Sequence, residues 1–454
     1  MKAITRGILF YTFVLLFFMT AAAILFYGSG YRYNTSKNTI ERTGELIVES
    51  MPSGAAVLLN GEPIRRLRDT IAGAQGASTP VHKKYLLPGT YHLDFVKDGY
   101  EPYRRDISVT SGTVTMVTDP VLLPRSEPEK IFSYSDIRQI LVRTPNTVIF
   151  LHGTEEVIRY LVDTRTFEQL YRAKKDESIT AFPTPTYRRA LIATKSGLSV
   201  VEENAVIPLP DKDFTGPIIH AVWSDDEKSV FVLTRSTVIR IRTDGAQTTP
   251  IFTGVFADIA LAQRTLYLLE YSEKKRAIIL IDSVTGKKVG TRKLLPSENI
   301  TTLEAVLLPL VIGKDIRGVI TTIDLSDAIK AQTPLAYVQE FFSKTSQVVA
   351  VTSDFEALIF EKSSDKTAQN RLLARLSVPI QKLVMAKTAP YALLLSDSVL
   401  EALETANRPD QNRYVINSPE QRVRDFFFDD NGILYYIVET EDTTALFRKM
   451  LQNP

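Results

Sequence analysis

No cysteine occurs among the 454 residues of this chain, so disulfides, thiolate nucleophiles and thiolate-bound metals are all excluded. Histidine occurs four times, at His82, His92, His152 and His220, and no two sit at the helical or hairpin spacing that would let them share a metal ion. No excess of either charge is present. The 54 basic side chains nearly cancel the 52 acidic ones, which leaves too weak a field to recruit nucleic acid. A Gly-x-Ser-x-Gly elbow and a phosphate-cradling glycine loop are also missing, and with them the usual anchors of hydrolase and nucleotidase chemistry. On these grounds no catalytic residue, no cofactor site, no metal site and no nucleic-acid partner are expected.

What is present is a soluble-type composition, 44% hydrophobic and 23% charged, in a chain too long for one ordinary core. Two or more folded domains are expected. Gly7 to Tyr27 departs from that composition, with no charge and two threonines among Ile, Leu, Phe, Val, Ala and Met. At about 1.5 Å per residue the segment spans the roughly 30 Å hydrocarbon layer of a bilayer, and it is apolar on every face, unlike a soluble core helix. Lys2, Arg6, Ala21 and Ala23 also fit a cleaved signal peptide. Against cleavage, the apolar run continues through Ile24, Leu25 and Phe26, and Tyr27, Tyr31 and Tyr33 then fall at headgroup depth as interfacial anchors. Residues 1–6 are read as a cytoplasmic tail, 7–27 as a single transmembrane helix and 28–43 as a connector. The compact Lys2 and Arg6 favour an N-terminus inside and a body outside, although Arg32, Lys37 and Arg42 follow the helix closely.

From Gly44 the pattern changes to alternation. Leu46, Val48 and Ser50 interleave with Glu45, Ile47 and Glu49, and Val57 and Leu59 lead into Asn60-Gly61, a pair suited to a tight hairpin. Pro88-Gly89 introduces a second period-2 run of Tyr91, Leu93 and Phe95, and Gly99-Tyr100 separates it from Ile107 and Val109. A small all-β domain follows. Gly44, Leu46, Val48, Ser50, Pro52, Gly54-Ala55, Val57, Leu59-Asn60-Gly61, Thr79-Pro80, Leu87-Pro88-Gly89, Tyr91, Lys97, Gly99-Tyr100 and Tyr103 together resemble the spaced positions of a PEGA domain, over residues 44–123. The sequence departs from that family's pattern in keeping only Pro88-Gly89 of the name-giving tetrapeptide and in an insertion after Gly61. The resemblance implies a compact β-sandwich of extracytoplasmic, surface-associated proteins, with no catalytic residues. The insertion carries Arg65, Arg66 and Arg68, either a solvated loop or a contact for lipid phosphates or an anionic wall polymer.

After a linker at 124–136, residues 137–454 repeat one arrangement: an apolar strand, a polar turn, a strongly apolar strand, then one or two more strands. Repeats start near Ile137, Ile179, Ile219, Phe256, Ile300, Val338, Ile380 and Val423, at spacings of 37 to 44 residues. A period near 40 with short β-branched and aromatic runs is that of a β-propeller blade, which predicts eight blades or, as the alternative, seven. Trp223 with its acidic turn, and Asp282 with Thr285, Gly286 and Lys287, resemble strand-end turns of propeller repeats. The paired carboxylates Asp225-Asp226 and Asp429-Asp430 point to turn capping more than to a cation site, since adjacent residues of a tight turn diverge. One tryptophan cannot supply the stacked indoles of quinone-dependent propellers, the sialidase Ser-x-Asp-x-Gly-x-Thr-Trp turn does not occur, and no hydrolase domain is expected after the last repeat.

The reading is an all-β body on one N-terminal helix, a PEGA-like sandwich followed by a seven- or eight-bladed propeller. It is expected to serve as a membrane-anchored binding or scaffold protein of the cell envelope, presenting a face to an envelope protein or cell-surface glycan. The alternatives are a propeller enzyme acting on a glycan or peptide, with carboxylates from several blades converging on the channel, and a structural spacer. Mass spectrometry is expected to find the residues before Ile24 retained in the mature chain, and protease added to spheroplasts is expected to digest the body. A mature chain starting at Ile24, or a fully protected body, would reverse this topology.

Overall fold

The computed structural model describes residues 2–35, 37–64, 76–209, 217–243, 247–271, 275–307, 310–326, 348–362, 368–386, 390–406, 408, 410–428, 433–441 and 443–451. They form two compact units, one of Met1–Glu127 with Ala406–Tyr414 and Leu451–Asn453, the other of Pro128–Thr405 with Val415–Met450.

The first unit begins with helix α1, Lys2–Gly28. Its 20-residue Leu9–Gly28 stretch contains a window of mean hydropathy 2.4 with none of it buried, so by length and composition it can cross a membrane. The Thr20 hydroxyl donates to the Leu16 carbonyl at 2.9 Å, which satisfies it without water. Within the connector the chain forms a hairpin of β1 (Tyr31–Asn34) and β2 (Thr39–Arg42).

A two-sheet sandwich follows. In one sheet β3 (Gly44–Val48) lies antiparallel to β6 (Val81–Leu86) and parallel to β9 (Val114–Val117). The other sheet runs β5 (Glu62–Pro63), β4 (Ala56–Leu59), β7 (Gly89–Val96), β8 (Tyr103–Val109). The alternation read from the sequence decides the core, because Leu46, Val48, Val57, Leu93, Phe95, Ile107 and Val109 all point between the sheets. Asn60 and Gly61 take positive φ angles of 52° and 79° in the β4–β5 turn, as the Asn-Gly pair predicts. At Gly44 a Cβ would meet the Thr110 carbonyl oxygen at 2.6 Å, so only glycine lets β3 pass there.

Among the described residues the second unit contains eight antiparallel sheets in chain order. Its first strand, β10 (Glu129–Tyr134), lies in the segment read as a linker and belongs to the last sheet. The first sheet is β11 (Ile137–Arg143), β12 (Thr147–His152), β13 (Glu156–Leu161) and β14 (Thr166–Arg172). The second is β15 (Thr180–Pro183), β16 (Ala190–Thr194), β17 (Gly197–Glu202) and β18 (Ala205–Pro208). The third is β19 (His220–Trp223), β20 (Ser229–Leu233), β21 (Thr237–Arg242) and β22 (Gln247–Thr253). The fourth is β23 (Asp258–Ala262), β24 (Thr265–Tyr271), β25 (Arg276–Asp282) and β26 (Lys288–Lys293). The fifth, β27 (Thr302–Leu307), β28 (Leu310–Lys314) and β29 (Ile320–Asp324), has three strands among the described residues. So has the sixth, β30 (Val348–Thr352), β31 (Glu356–Lys362) and β32 (Ala368–Arg375). The seventh is β33 (Ile380–Met385), β34 (Tyr391–Ser396) and β35 (Val399–Glu404), after which the chain forms the short strand β36 (Arg413–Val415). The eighth is β37 (Arg422–Phe428), β38 (Ile433–Glu439) and β39 (Thr444–Met450), completed by β10.

Seven of the eight repeat starts read from the sequence fall within two residues of the first strand of a sheet; the eighth, Val338, lies outside the described residues. The second strands read as unbroken apolar runs because both of their faces are buried. On β20, Val230 and Val232 pack with Leu191 and Val200 of the second sheet, while Phe231 and Leu233 pack with Leu266 and Leu268 of the fourth. Equivalent cores join the first sheet to the second, the fourth to the fifth, the sixth to the seventh and the eighth to the first. The first strands line the inside, β37 neighbouring both β33 and β11, so the array is a closed β-propeller.

Closure uses both ends of the unit. β10 pairs antiparallel with β39. The buried Thr444 hydroxyl accepts the Ile137 amide at 2.6 Å and donates to the Tyr134 carbonyl at 2.9 Å, and Arg448 pairs with Glu129 at 2.7 Å. Thr444→Val keeps the shape and removes both hydrogen bonds, so it is expected to cost about 1–3 kcal/mol of unfolding free energy. Urea denaturation checks this, and an unchanged midpoint would mean that strand pairing alone holds the ring.

Candidate functional site

The turns between the first and second strands of successive sheets come together with the eighth sheet around a cleft of about 870 Å³. The β11–β12 turn supplies Arg143 and Thr144, the β15–β16 turn Thr186, Arg188 and Arg189, and the β19–β20 turn Asp226, Glu227 and Lys228. Each turn is fixed by its own polar residues. Thr184 Oγ1 accepts the amides of Arg188 and Arg189, and Tyr187 turns back at a φ of 55°. In the β19–β20 turn, Asp226 accepts from the Ser224 hydroxyl at 2.6 Å and the Lys228 amide at 3.1 Å, which holds its carboxyl below the usual range. Asp226 therefore caps the turn, as the sequence suggests for the acidic pair; Asp429-Asp430 lie outside the described residues.

A column of stacked side chains forms the cleft wall. Tyr187 lies 4.3 Å from Phe427, Phe427 stacks on Tyr435 at 4.7 Å, and the Arg143 guanidinium lies over the Tyr435 ring at 5.1 Å. The column is tied by the Arg143 amide, which donates to the Tyr187 carbonyl at 2.6 Å. Two guanidinium nitrogens of Arg143, Nε and Nη1, are buried and meet no acceptor among the described residues. The cleft's acids are engaged: Glu202 pairs with Arg189 at 3.0 Å, Glu203 accepts from Thr144 at 2.6 Å, and Glu227 accepts from the Thr186 amide and hydroxyl. The arrangement thus holds cationic donors in excess of the acceptors that answer them, which suits a ligand bearing a carboxylate.

A second set of charges lies on the inner strands. Asp258 on β23 accepts from His220 of β19 at 2.6 Å and from the Leu303 amide of β27 at 2.7 Å, which ties three successive sheets. The hydrogen bond to Asp258 raises the His220 pKa above its ordinary value, against the effect of burial. On the opposite arc, Lys382 of β33 meets Asp425 of β37 at 2.7 Å and the Phe426 carbonyl at 2.6 Å. Burial works to lower Lys382, but Asp425 and Tyr187 outweigh it, so its pKa is raised and it stays charged. Bulges near the starts of β11, β27, β33 and β37 re-aim these first strands. Carboxylates from different blades do reach the inner strands, and each described one is held in a structural hydrogen bond or ion pair. Among the described residues no three His, Asp or Glu side chains gather as they would around a metal ion.

Of the residues singled out in the sequence, Arg65, Arg66 and Arg68 lie outside the described residues. Tyr27 lies in the last turn of α1, and Tyr31 and Tyr33 lie on β1, all three exposed. Trp223 is mostly buried and its indole donates to the Phe182 carbonyl of the second sheet at 2.9 Å, a tie between neighbouring blades. Asp282 accepts from the Thr285 amide at 2.7 Å with Gly286 at a φ of 70°, the capped turn its spacing suggests. Arg143, Tyr187, Phe427 and Tyr435 carry no linear signal, because three sheets far apart in sequence bring them together.

Residues 43–121 match the PEGA domain family. Among solved structures, the chain is similar to the C-terminal WD40 domain of Sif2, at 10% identity and a TM-score of 0.49 over 71% of this chain and 98% of that one. It is also similar to BamB from Moraxella catarrhalis, at 14% identity and a TM-score of 0.46 over 72% of this chain and all of that one. No curated protein matches the chain. The chain thus carries a PEGA domain and, by the topology of its eight sheets, a β-propeller.

The His220–Asp258 tie carries a pH signature. A raised His pKa stabilises the fold below the unfolded value near 6.5, and that contribution fades as pH rises through the folded value. His220→Gln is therefore expected to lower the melting temperature more at pH 5.5 than at pH 8.5, as calorimetry can measure; an equal loss at both would separate His220 from Asp258.

Proposed function

We propose that this chain is a membrane-anchored binding protein of the cell envelope, its α1 helix retained in the membrane with residues 1–6 cytoplasmic and its body outside. In this reading residues 28–43 connect the helix to the PEGA domain, residues 124–136 lead on from it, and the propeller presents the polar cleft to a protein segment that offers a carboxylate. The observation that carries the reading is Arg143, whose guanidinium is held against Tyr435 with two nitrogens lacking an acceptor among the described residues. Two buried guanidinium nitrogens without an acceptor are costly, and a ligand carboxylate at this half-buried side chain would offset that cost. A sugar ligand is less well served, because Tyr187, Phe427 and Arg143 already occupy the faces of the aromatic column.

A random nonapeptide display library panned against the full chain in lipid nanodiscs is expected to enrich peptides with Asp or Glu at one fixed position. Arg143→Gln and Arg188→Gln are expected to lower that enrichment by about tenfold each, with the fold intact by circular dichroism. Enrichment without an acidic preference would leave a binding protein whose ligand chemistry is different. An Arg143→Gln chain that is less stable yet enriches the same peptides would make Arg143 a structural residue.

A further inference from the structure

The β1–β2 hairpin has two unlike faces. Tyr33 stands directly opposite Ile40, and Tyr31 opposite Arg42, so Tyr31, Tyr33 and Ile40 share one face, with Arg42 at its base. Tyr33 and Ile40 are 56% and 66% exposed, an aromatic and a branched aliphatic side chain, and the Tyr33 hydroxyl donates to the Asn38 side-chain oxygen. The other face is polar and tied down, with Asn34 buried and donating to Glu41 at 2.9 Å. Asn34 is buried on one face while Tyr33 and Ile40 are exposed on the other, the reverse of the usual soluble pattern.

Its attachment to α1 is fixed by several bonds. Arg32 donates to the Tyr27 carbonyl at 2.7 Å, a carbonyl of the last helical turn, while its guanidinium lies 3.5 Å from the Tyr27 ring centroid and 4.4 Å from that of Tyr85 on β6. Tyr31 meets Phe26 edge-on at 5.4 Å, which puts the apolar face of the hairpin on the side of the apolar helix surface. The Thr43 hydroxyl and amide both donate to the Gly30 carbonyl, at 2.7 and 2.9 Å, and close the base of the hairpin. Only Ser29 and Gly30 separate α1 from β1. At roughly 3.3 Å per extended residue, β1 begins within about 10 Å of the point where the helix ends.

From this geometry we infer that the β1–β2 hairpin is a second membrane contact, seating Tyr31, Tyr33 and Ile40 in the headgroup and upper acyl layer of the bilayer that α1 enters. The inference rests on α1 being a retained anchor. The helix alone leaves the body free to swivel about one segment, whereas an aromatic hairpin held to the helix end by Arg32 adds a second, laterally displaced point of attachment. The occupant is lipid because the face continues the apolar surface of α1 and lies at its membrane-exit end.

The absence of native cysteine allows single thiols to report depth. Ile40→Cys and Tyr33→Cys on the apolar face, and Thr39→Cys on the other, are each labelled with the environment-sensitive dye NBD in the full chain, reconstituted in vesicles of phosphatidylglycerol and phosphatidylethanolamine. At positions 40 and 33 the dye is expected to emit further to the blue and to be quenched several-fold more by lipid-borne nitroxide than at 39, with the order reversed for aqueous iodide. Equal iodide quenching at all three positions, in chains that resist extraction by alkaline carbonate, would overturn the hairpin contact and leave the anchor standing. Release of the chain by carbonate would remove the anchor and this inference with it.

Discussion

The propeller rests on one requirement: every second strand must be covered on both faces. A sheet whose alternate residues are all apolar, as in Val230, Phe231, Val232 and Leu233, cannot stand at an edge, because whichever side faced water would expose a row of large side chains. Each sheet therefore needs a neighbour on either side, and a finite row of such sheets meets that need only by closing. The pairing of β10 with β39 follows from the same constraint, since it makes the last sheet from both ends of the unit and joins the first sheet to the eighth.

Closure has a consequence for chemistry. First strands from all sheets meet on the inside, and polar residues there must find partners across blades. Asp258 with His220 and the Leu303 amide, and Lys382 with Asp425, are such cross-blade ties. They fix neighbouring sheets relative to one another where apolar packing, which is directionless, would leave them free to slide. The cleft lies where the turns of the first three sheets meet the eighth, and there the pairing is incomplete. Arg143 is positioned by its stack on Tyr435, whereas two of its nitrogens meet no acceptor among the described residues.

In the first unit the hairpin and the sandwich show the same physics with opposite outcomes. The sandwich hides its alternating residues between two sheets, and the hairpin leaves Tyr33 and Ile40 outside. The difference is what lies nearby: a second sheet in one case, the end of an apolar helix in the other.

The sequence by itself determined the order and kind of the elements. An uncharged stretch longer than a bilayer is thick reads as a long apolar helix, strict alternation in Gly44–Val109 can bury one face of each strand, and short apolar runs rich in β-branched and aromatic residues at a period near 40 read as strands covered on both faces. These are local properties, set by side-chain polarity and the two-residue repeat of a strand. The tertiary structure alone decided which residues meet. That β10 in the apparent linker completes the last sheet, that Tyr187 of the second sheet packs on Phe427 of the eighth, and that Arg143 reaches Tyr435 with two nitrogens lacking an acceptor among the described residues are all products of ring closure. Closure joins residues about 300 positions apart, and no pattern along the chain encodes a distance of that kind, because it is fixed by how many sheets the ring needs before its last open face meets its first.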